Sequence, residues 1–200
     1  MGIRQNTIDR AWALKTYVPA DFATKVDTTL RAGPDDAVIT ELSTLGIPAI
    51  TMSTDGHSIR LLEKLGFVDN TQKIYFRVNW TSDSTTSADS TLWTMTYKVL
   101  SPDNDAISFA SMTAMTPATV TDTVGSTTAY KIRRTDALCI PVLSVLDTDH
   151  TALEFEMTTK TGLTHVYLIN VEMLYCPKLT VGISRPPPAM PLPSDWTVAS

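Results

Sequence analysis

At 200 residues and 21.9 kDa the chain can bury one sizeable core and is too short for two domains of typical size. Its 16 Lys and Arg against 21 Asp and Glu give a net charge of -5 without strong clustering, which excludes the basic face that a nucleic-acid backbone requires. Only 18% of residues are charged, 43% are hydrophobic and Ser and Thr recur throughout, which suits a β protein or a surface packed against neighbours.

The opening MGIRQNTIDR has no apolar region of signal-peptide type, and no apolar run reaches the length a bilayer helix needs. The expectation is a chain that is neither secreted by a leader nor inserted in a membrane. Residues 1–45 show little strand alternation and carry scattered aromatics (Trp12, Tyr17, Phe22) with Pro19 and Pro34, so they read as an N-terminal arm containing short helix. Pro34, Asp35 and Asp36, followed by Val38, Ile39, Leu42, Leu45 and Gly46, predict a helix from an acidic start, i/i+3/i+4/i+7 spacing and a closing glycine. A second helix is predicted over 7–16, with Ile8, Ala11, Trp12 and Lys15 on one side. Residues 58–65 fit a helix by the three-apart spacing of Ile59, Leu62 and Leu65, yet stand where a sandwich would place its first strands.

Beyond this point period-two patterning takes over. Ile74, Phe76, Val78 and Trp80 alternate with Tyr75, Arg77 and Asn79, and Trp93, Met95, Tyr97 and Val99 alternate with Thr94, Thr96 and Lys98. A polar loop, 81–90, separates the two strands. Further strands are expected at 118–124, 129–134, 138–143, 153–158 and 165–175. In 153–158, Leu153, Phe155 and Met157 alternate with Glu154 and Glu156, giving one wet face; 165–175 is apolar on both faces, as in a central strand covered on both sides. About eight short strands without interleaved long helices make an all-β, antiparallel, jelly-roll-like β-sandwich over 46–178. The tail, 179–200, is Pro-rich (Pro186, Pro187, Pro188, Pro191, Pro193), favours polyproline geometry and carries Trp196.

Chemistry-bearing motifs are sparse. His57, His150 and His165 share no ligand spacing with each other or with Cys or acids. Asp147 and Asp149 ahead of His150 read as a solvated loop before a cation site, and Asp103-Asn104-Asp105 lacks the Gly and distal Glu of a calcium loop. Glu154 and Glu156 share a strand face, which reads as a solvent or interface face before a catalytic carboxylate pair. No nucleophile elbow or phosphate-cradling glycine loop occurs. Cys139 and Cys176 read as reduced core residues, and the sequon at Asn79-Trp80-Thr81 lies within a strand, where it is coincidence. No catalytic, cofactor or metal residue is expected, and the chain is expected not to be an enzyme.

The candidate residues are instead interface residues. Arg133 and Arg134 point to opposite faces of a strand, so one is expected in an interface salt bridge. Trp12, Tyr17, Phe22 and Trp196 are large rigid rings that can anchor another protein, with folding back onto the chain's own sandwich as the competing reading.

One resemblance adds to this. Ile47-Pro48-Ala49-Ile50, the run from Ile74 to Trp80, the run from Leu92 to Val99, and the run from Val166 to Tyr175 followed by Pro177-Lys178 carry it. Over about 46–178 the chain resembles a family of tailed-phage virion proteins with a jelly-roll-like sandwich. The resemblance implies a capsid decoration (cement) protein, assembled in the host cytoplasm and sited on the capsid surface of the virion. Its partners would be the major capsid protein and itself, as a homotrimer, with no cofactor, nucleic acid or membrane. The alternative it leaves open is a head or tail fibre or adaptor protein whose sandwich binds a receptor or glycan.

Overall fold

The computed structural model describes residues 12–22, 38–42, 46–69, 71–101, 113–125, 127–141, 149–178 and 191–198, with backbone alone at 38–42 and 113–119. Among these, eleven strands occur: β1 (Ala13–Tyr17), β2 (Val38–Leu42), β3 (Ile47–Met52), β4 (His57–Glu63), β5 (Ile74–Ser82), β6 (Ser90–Leu100), β7 (Thr113–Thr123), β8 (Arg133–Arg134), β9 (Leu138–Ile140), β10 (His150–Thr161) and β11 (Val166–Tyr175). The helical content of the described residues is one 3-10 turn, Pro19–Asp21.

The strands form two antiparallel sheets. Sheet 1 runs β2-β3-β11-β5-β8, with β1 also on β11 and β9 also on β5; sheet 2 runs β4-β10-β6-β7. Strand β11 is the spine of sheet 1. From Val166 to Leu174, with a bulge between Leu168 and Asn170, it pairs with β5, while its other edge meets β3 at Val166–Leu168 and β1 at Val171–Tyr175. The all-β sandwich expected from alternation is therefore what the chain adopts.

Alternation explains which side chains meet. Ile74, Phe76, Val78 and Trp80 of β5 and Val166, Leu168, Val171 and Met173 of β11 face inward from sheet 1. Trp93 and Met95 of β6 and Leu153, Phe155 and Met157 of β10 meet them from sheet 2. The Phe155 ring lies 5.7 Å from that of Phe76 and 6.4 Å from that of Phe22. Burying each such side chain stabilises the fold by roughly 1.5–3 kcal/mol.

Several expectations are corrected. The helix over 34–46 is contradicted at Val38–Leu42, which forms β2 and pairs with Ile47–Thr51 of β3; the rest of that segment, Gly46 excepted, lies outside the described residues. β-branched Val38, Ile39 and Thr40 suit a pleated strand, and Gly46, expected to close a helix, stands at φ 63 directly before β3. The helix over 7–16 is contradicted at 13–16, which belong to β1; 7–11 lie outside the described residues. Residues 57–63 resolve the ambiguity of 58–65 as a strand, because Ile59 and Leu61 point into the core two apart. In 129–134 only Arg133–Arg134 are strand, and the strand at 138 ends at Ile140 before Pro141.

The segment read as an arm joins the sandwich where it is described. Strand β1 pairs with β11, and Tyr17 (2% exposed) and Phe22 (6%) lie in the main core. Residues 179–190 lie outside the described residues. The described tail, 191–198, crosses the outer face of sheet 1 and is fastened by Ala137 N–H donating to Thr197 O at 2.7 Å and by a parallel bridge from Ala137 to Val198.

Candidate functional site

The outer face of sheet 1 has two aromatic ends. At the first, Arg77 of β5 donates through Nε to Glu172 of β11 and through Nη1 to the Asp195 carbonyl at 3.0 Å, while its guanidinium lies 4.1 Å from the Trp196 ring centre. Trp12 meets Tyr75 edge-on at 5.8 Å and its indole N–H donates to Pro191 O at 2.9 Å. Ala137, Leu174 and Trp196 form a small second core, with Trp12, Tyr75 and Leu192 packed against it. The expectation that β11 is covered on both sides holds at this end, because the tail provides the second cover.

Among the described residues, no segment covers the other end. Tyr167 of β11, opposite Thr51 and Thr81, is half-buried on the outer face. Its ring is 6.2 Å from that of Tyr130 and 6.1 Å, nearly parallel, from that of His165. His165 Nδ1 is 3.9 Å from Asp83 Oδ2, and both side chains are about 40% exposed (40% and 37%). The Tyr167 phenol is pushed up from its ordinary value, first by burial and then by the Asp83 charge and Tyr130.

These four residues come from three loops or strands, and the backbone holds them together. Tyr130 sits at φ 58, a conformation that costs a bulky side chain free energy and that the surroundings must impose. Its N–H donates to Ser82 O at 2.7 Å, and Thr81 Oγ1 donates to Lys131 O at 2.9 Å, so the 130–131 turn is clamped to β5. The loop carrying Asp83 is pinned by Ser84 Oγ donating to Asp89 Oδ2 at 2.5 Å. The Asp89 carboxylate in turn packs on Gly162, at φ +74, where an added Cβ would stand 2.0 Å from Oδ1. This interlock ties the Asp83 loop to the turn that leads to His165.

The sequence-based candidates fall elsewhere. Tyr17 and Phe22 are in the core, and Trp12 and Trp196 fasten the tail, so these four rings pack against the chain's own sandwich. Arg133 turns inward, with its guanidinium 5.7 Å from the Trp80 ring centre. Trp80 Nε1 donates to Asp122 Oδ2 at 2.7 Å, and burial pushes the Asp122 carboxyl up while it lowers Arg133. Arg134 points outward and is exposed, so the two arginines take opposite faces as expected. No motif in the sequence marks Tyr130, Tyr167 or Asp83, and His165 reads there only against a metal-ligand spacing that it lacks. Alternation with inward Val166 and Leu168 marks Tyr167 as outward-facing; nothing local marks Tyr130.

The remaining motifs carry no site. Glu154, expected on a wet face, is 3% exposed, because Ser58 Oγ (2.9 Å) and Arg60 Nε and Nη2 (3.1 and 3.0 Å) converge on its Oε1. Glu156 on the same face is half-buried. Asp149 is buried, not solvated, and the Asp103 to Asp105 motif and Asp147 lie outside the described residues. Among the described residues no three His, Cys, Asp or Glu gather as a metal set. Cys139 and Cys176 are buried free thiols, and burial pushes the Cys139 thiol up. Asn79 of the sequon is 3% exposed and its amide donates to Asn170 Oδ1.

No family model and no curated protein sequence matches the chain. Solved structures with a similar arrangement include the CBM36-1 domain of a multidomain xylanase from the hindgut metagenome of Trinervitermes trinervoides (TM-score 0.46, 6% identity, 86% of this chain and 100% of that one). A CBM22 xylan-binding domain gives TM-score 0.39 at 11% identity over 88% of this chain and 92% of that one. Eiger TNF from S. frugiperda gives 0.28 at 9% identity over 87% and 90%. At such scores and identities they define neither a family nor a ligand for this chain.

Proposed function

We propose that the chain is a glycan-binding sandwich that engages sugar through Tyr130, Tyr167 and His165, with Asp83 beside them. The observation that carries this reading is Tyr130. A tyrosine held at φ 58 by a clamped turn, its half-exposed ring set beside Tyr167, is backbone strain retained at the surface of the sandwich. Half-exposed rings offer an apolar, electron-rich surface for the C–H groups of a sugar, and the Asp83 carboxylate and phenol hydroxyls offer hydrogen bonds to its hydroxyls. Binding needs no reaction and no bound ion.

The virion setting rests on the sequence resemblance alone, and within it this reading corresponds to a fibre or adaptor module that recognises a surface glycan. Capsid decoration, the other reading of that resemblance, has less support. Of the rings that could anchor a neighbouring protein, Tyr17, Phe22 and Trp196 are buried in the chain itself.

The full chain is tested against an immobilised panel of neutral and acidic oligosaccharides, with Tyr167→Ala alongside. Selective retention of one sugar class, lost in the variant with an unchanged melting temperature, supports the proposal. Retention of none, or retention indifferent to Tyr167, overturns it.

A further inference from the structure

The rim of the same platform carries a second signal. Lys131 and Arg134 are exposed and flank exposed Ile132 on the stretch that leads out of the Tyr130 turn. Arg134 stands directly opposite Asn79 on β5, hence on the outer face of sheet 1 that Tyr167 shares. No ion pair involving Arg134 or Lys131 occurs among the described residues, whereas Arg60, Arg77 and Lys15 each hold a carboxylate.

The spacing is set by the sheet. Strands β8 and β11 flank β5, so they are separated by about 10 Å, and Arg134 is in register two residues from the Thr81 position opposite Tyr167, about 7 Å along the strand. A ring stacked on Tyr167 and Tyr130 therefore leaves the next sugar of a chain within reach of the Arg134 guanidinium. Asp83 lies on the far side, beside His165, and orients the negative end away from itself.

Resting on the glycan-binding reading, we infer that the ligand is an acidic glycan, with a carboxylate or sulfate on the sugar next to the stacked ring held by Arg134 and Lys131. A guanidinium fork matches either group and forms charge-assisted hydrogen bonds with it. The overall charge of -5 repels an anion, so attraction must come from these local cations and falls as salt rises.

Calorimetric titration of the full chain with trigalacturonate and its neutral methyl ester, and with a sulfated carrageenan tetrasaccharide and its desulfated form, separates the sources. At low salt at least one acidic probe binds about tenfold or more tighter than its neutral counterpart, and Arg134→Gln or high salt closes that gap without shifting the melting temperature. Preference for trigalacturonate alone assigns a carboxylate, and preference for the sulfated probe alone assigns a sulfate. Equal binding of acidic and neutral partners, indifferent to Arg134→Gln, overturns this inference and leaves the platform standing. Failure of these four probes to bind, while a neutral sugar from the panel is retained through Tyr167, also overturns it. Failure of every sugar overturns the platform as well.

Discussion

The two ends of the outer face of sheet 1 use the same two strands and the same kind of residue to different purposes. At one end, Trp12, Tyr75 and Trp196 are closed over by residues 191–198 around the Arg77–Glu172 pair. At the other, Tyr130, Tyr167 and His165 are rigidly held yet half-exposed. Both ends are aromatic, so aromatic content is not what marks a site. What distinguishes the open end is that backbone strain and interlocked loops support rings that no described segment covers.

That contrast can be broken most severely at the closed end. Arg77→Ala leaves Glu172 largely buried without its cation and strips Trp196 of its partner, and it is expected to cost about 3–5 kcal/mol in urea denaturation. Trp196→Ala is expected to cost about 3 kcal/mol, with residues 191–198 becoming susceptible to protease before the sandwich unfolds. Equal protease resistance of the two proteins would contradict the fastening of the tail by this ring.

A third expectation concerns pH. The Tyr17 phenol is raised well above its ordinary 10.0, first by burial and then by Glu63. A group whose folded value is raised contributes stability in full below its unfolded value, near pH 10, and that stability is lost as pH rises beyond it. Alkaline titration of the melting temperature should therefore fall above about pH 10, and Tyr17→Phe should flatten the fall.

The smallest effects on stability belong to the open end. Tyr167→Ala should change stability by no more than about 1 kcal/mol while weakening sugar binding by about tenfold or more. Tyr130→Gly relieves the φ 58 strain, so it should leave the fold as stable or about 1 kcal/mol more stable and still impair binding. A variant that loses binding and gains stability is the signature of strain kept for function.

Much of the sandwich was legible because period-two patterning is written directly in residues such as Ile74 to Trp80 and Leu153 to Met157. The first strands were not. Val38–Leu42 and His57–Glu63 are short segments in which apolar and polar residues mix so that the spacing fits helix and strand alike, and the pairing of β2 with β3 and of β4 with β10 decides between them. The candidate site was legible only in part. Alternation puts Tyr167 outward, but Tyr130 joins it through a turn conformation that a tyrosine rarely adopts, and the sheet brings His165 and Asp83 together from 82 residues apart. Conversely, Trp12 and Trp196 stand out in the sequence as exposed anchors because their partners, Tyr75 and Arg77, are distant in the chain.

The most direct test of the central contrast is to follow the backbone amides by NMR while titrating in the best-retained oligosaccharide. The account predicts shifts clustered at Asp83, Tyr130, Lys131, Arg134, His165 and Tyr167, with Arg77, Glu172 and 191–198 unmoved. Shifts centred on Trp12, Trp196 and the tail, or spread evenly over both ends, would contradict it.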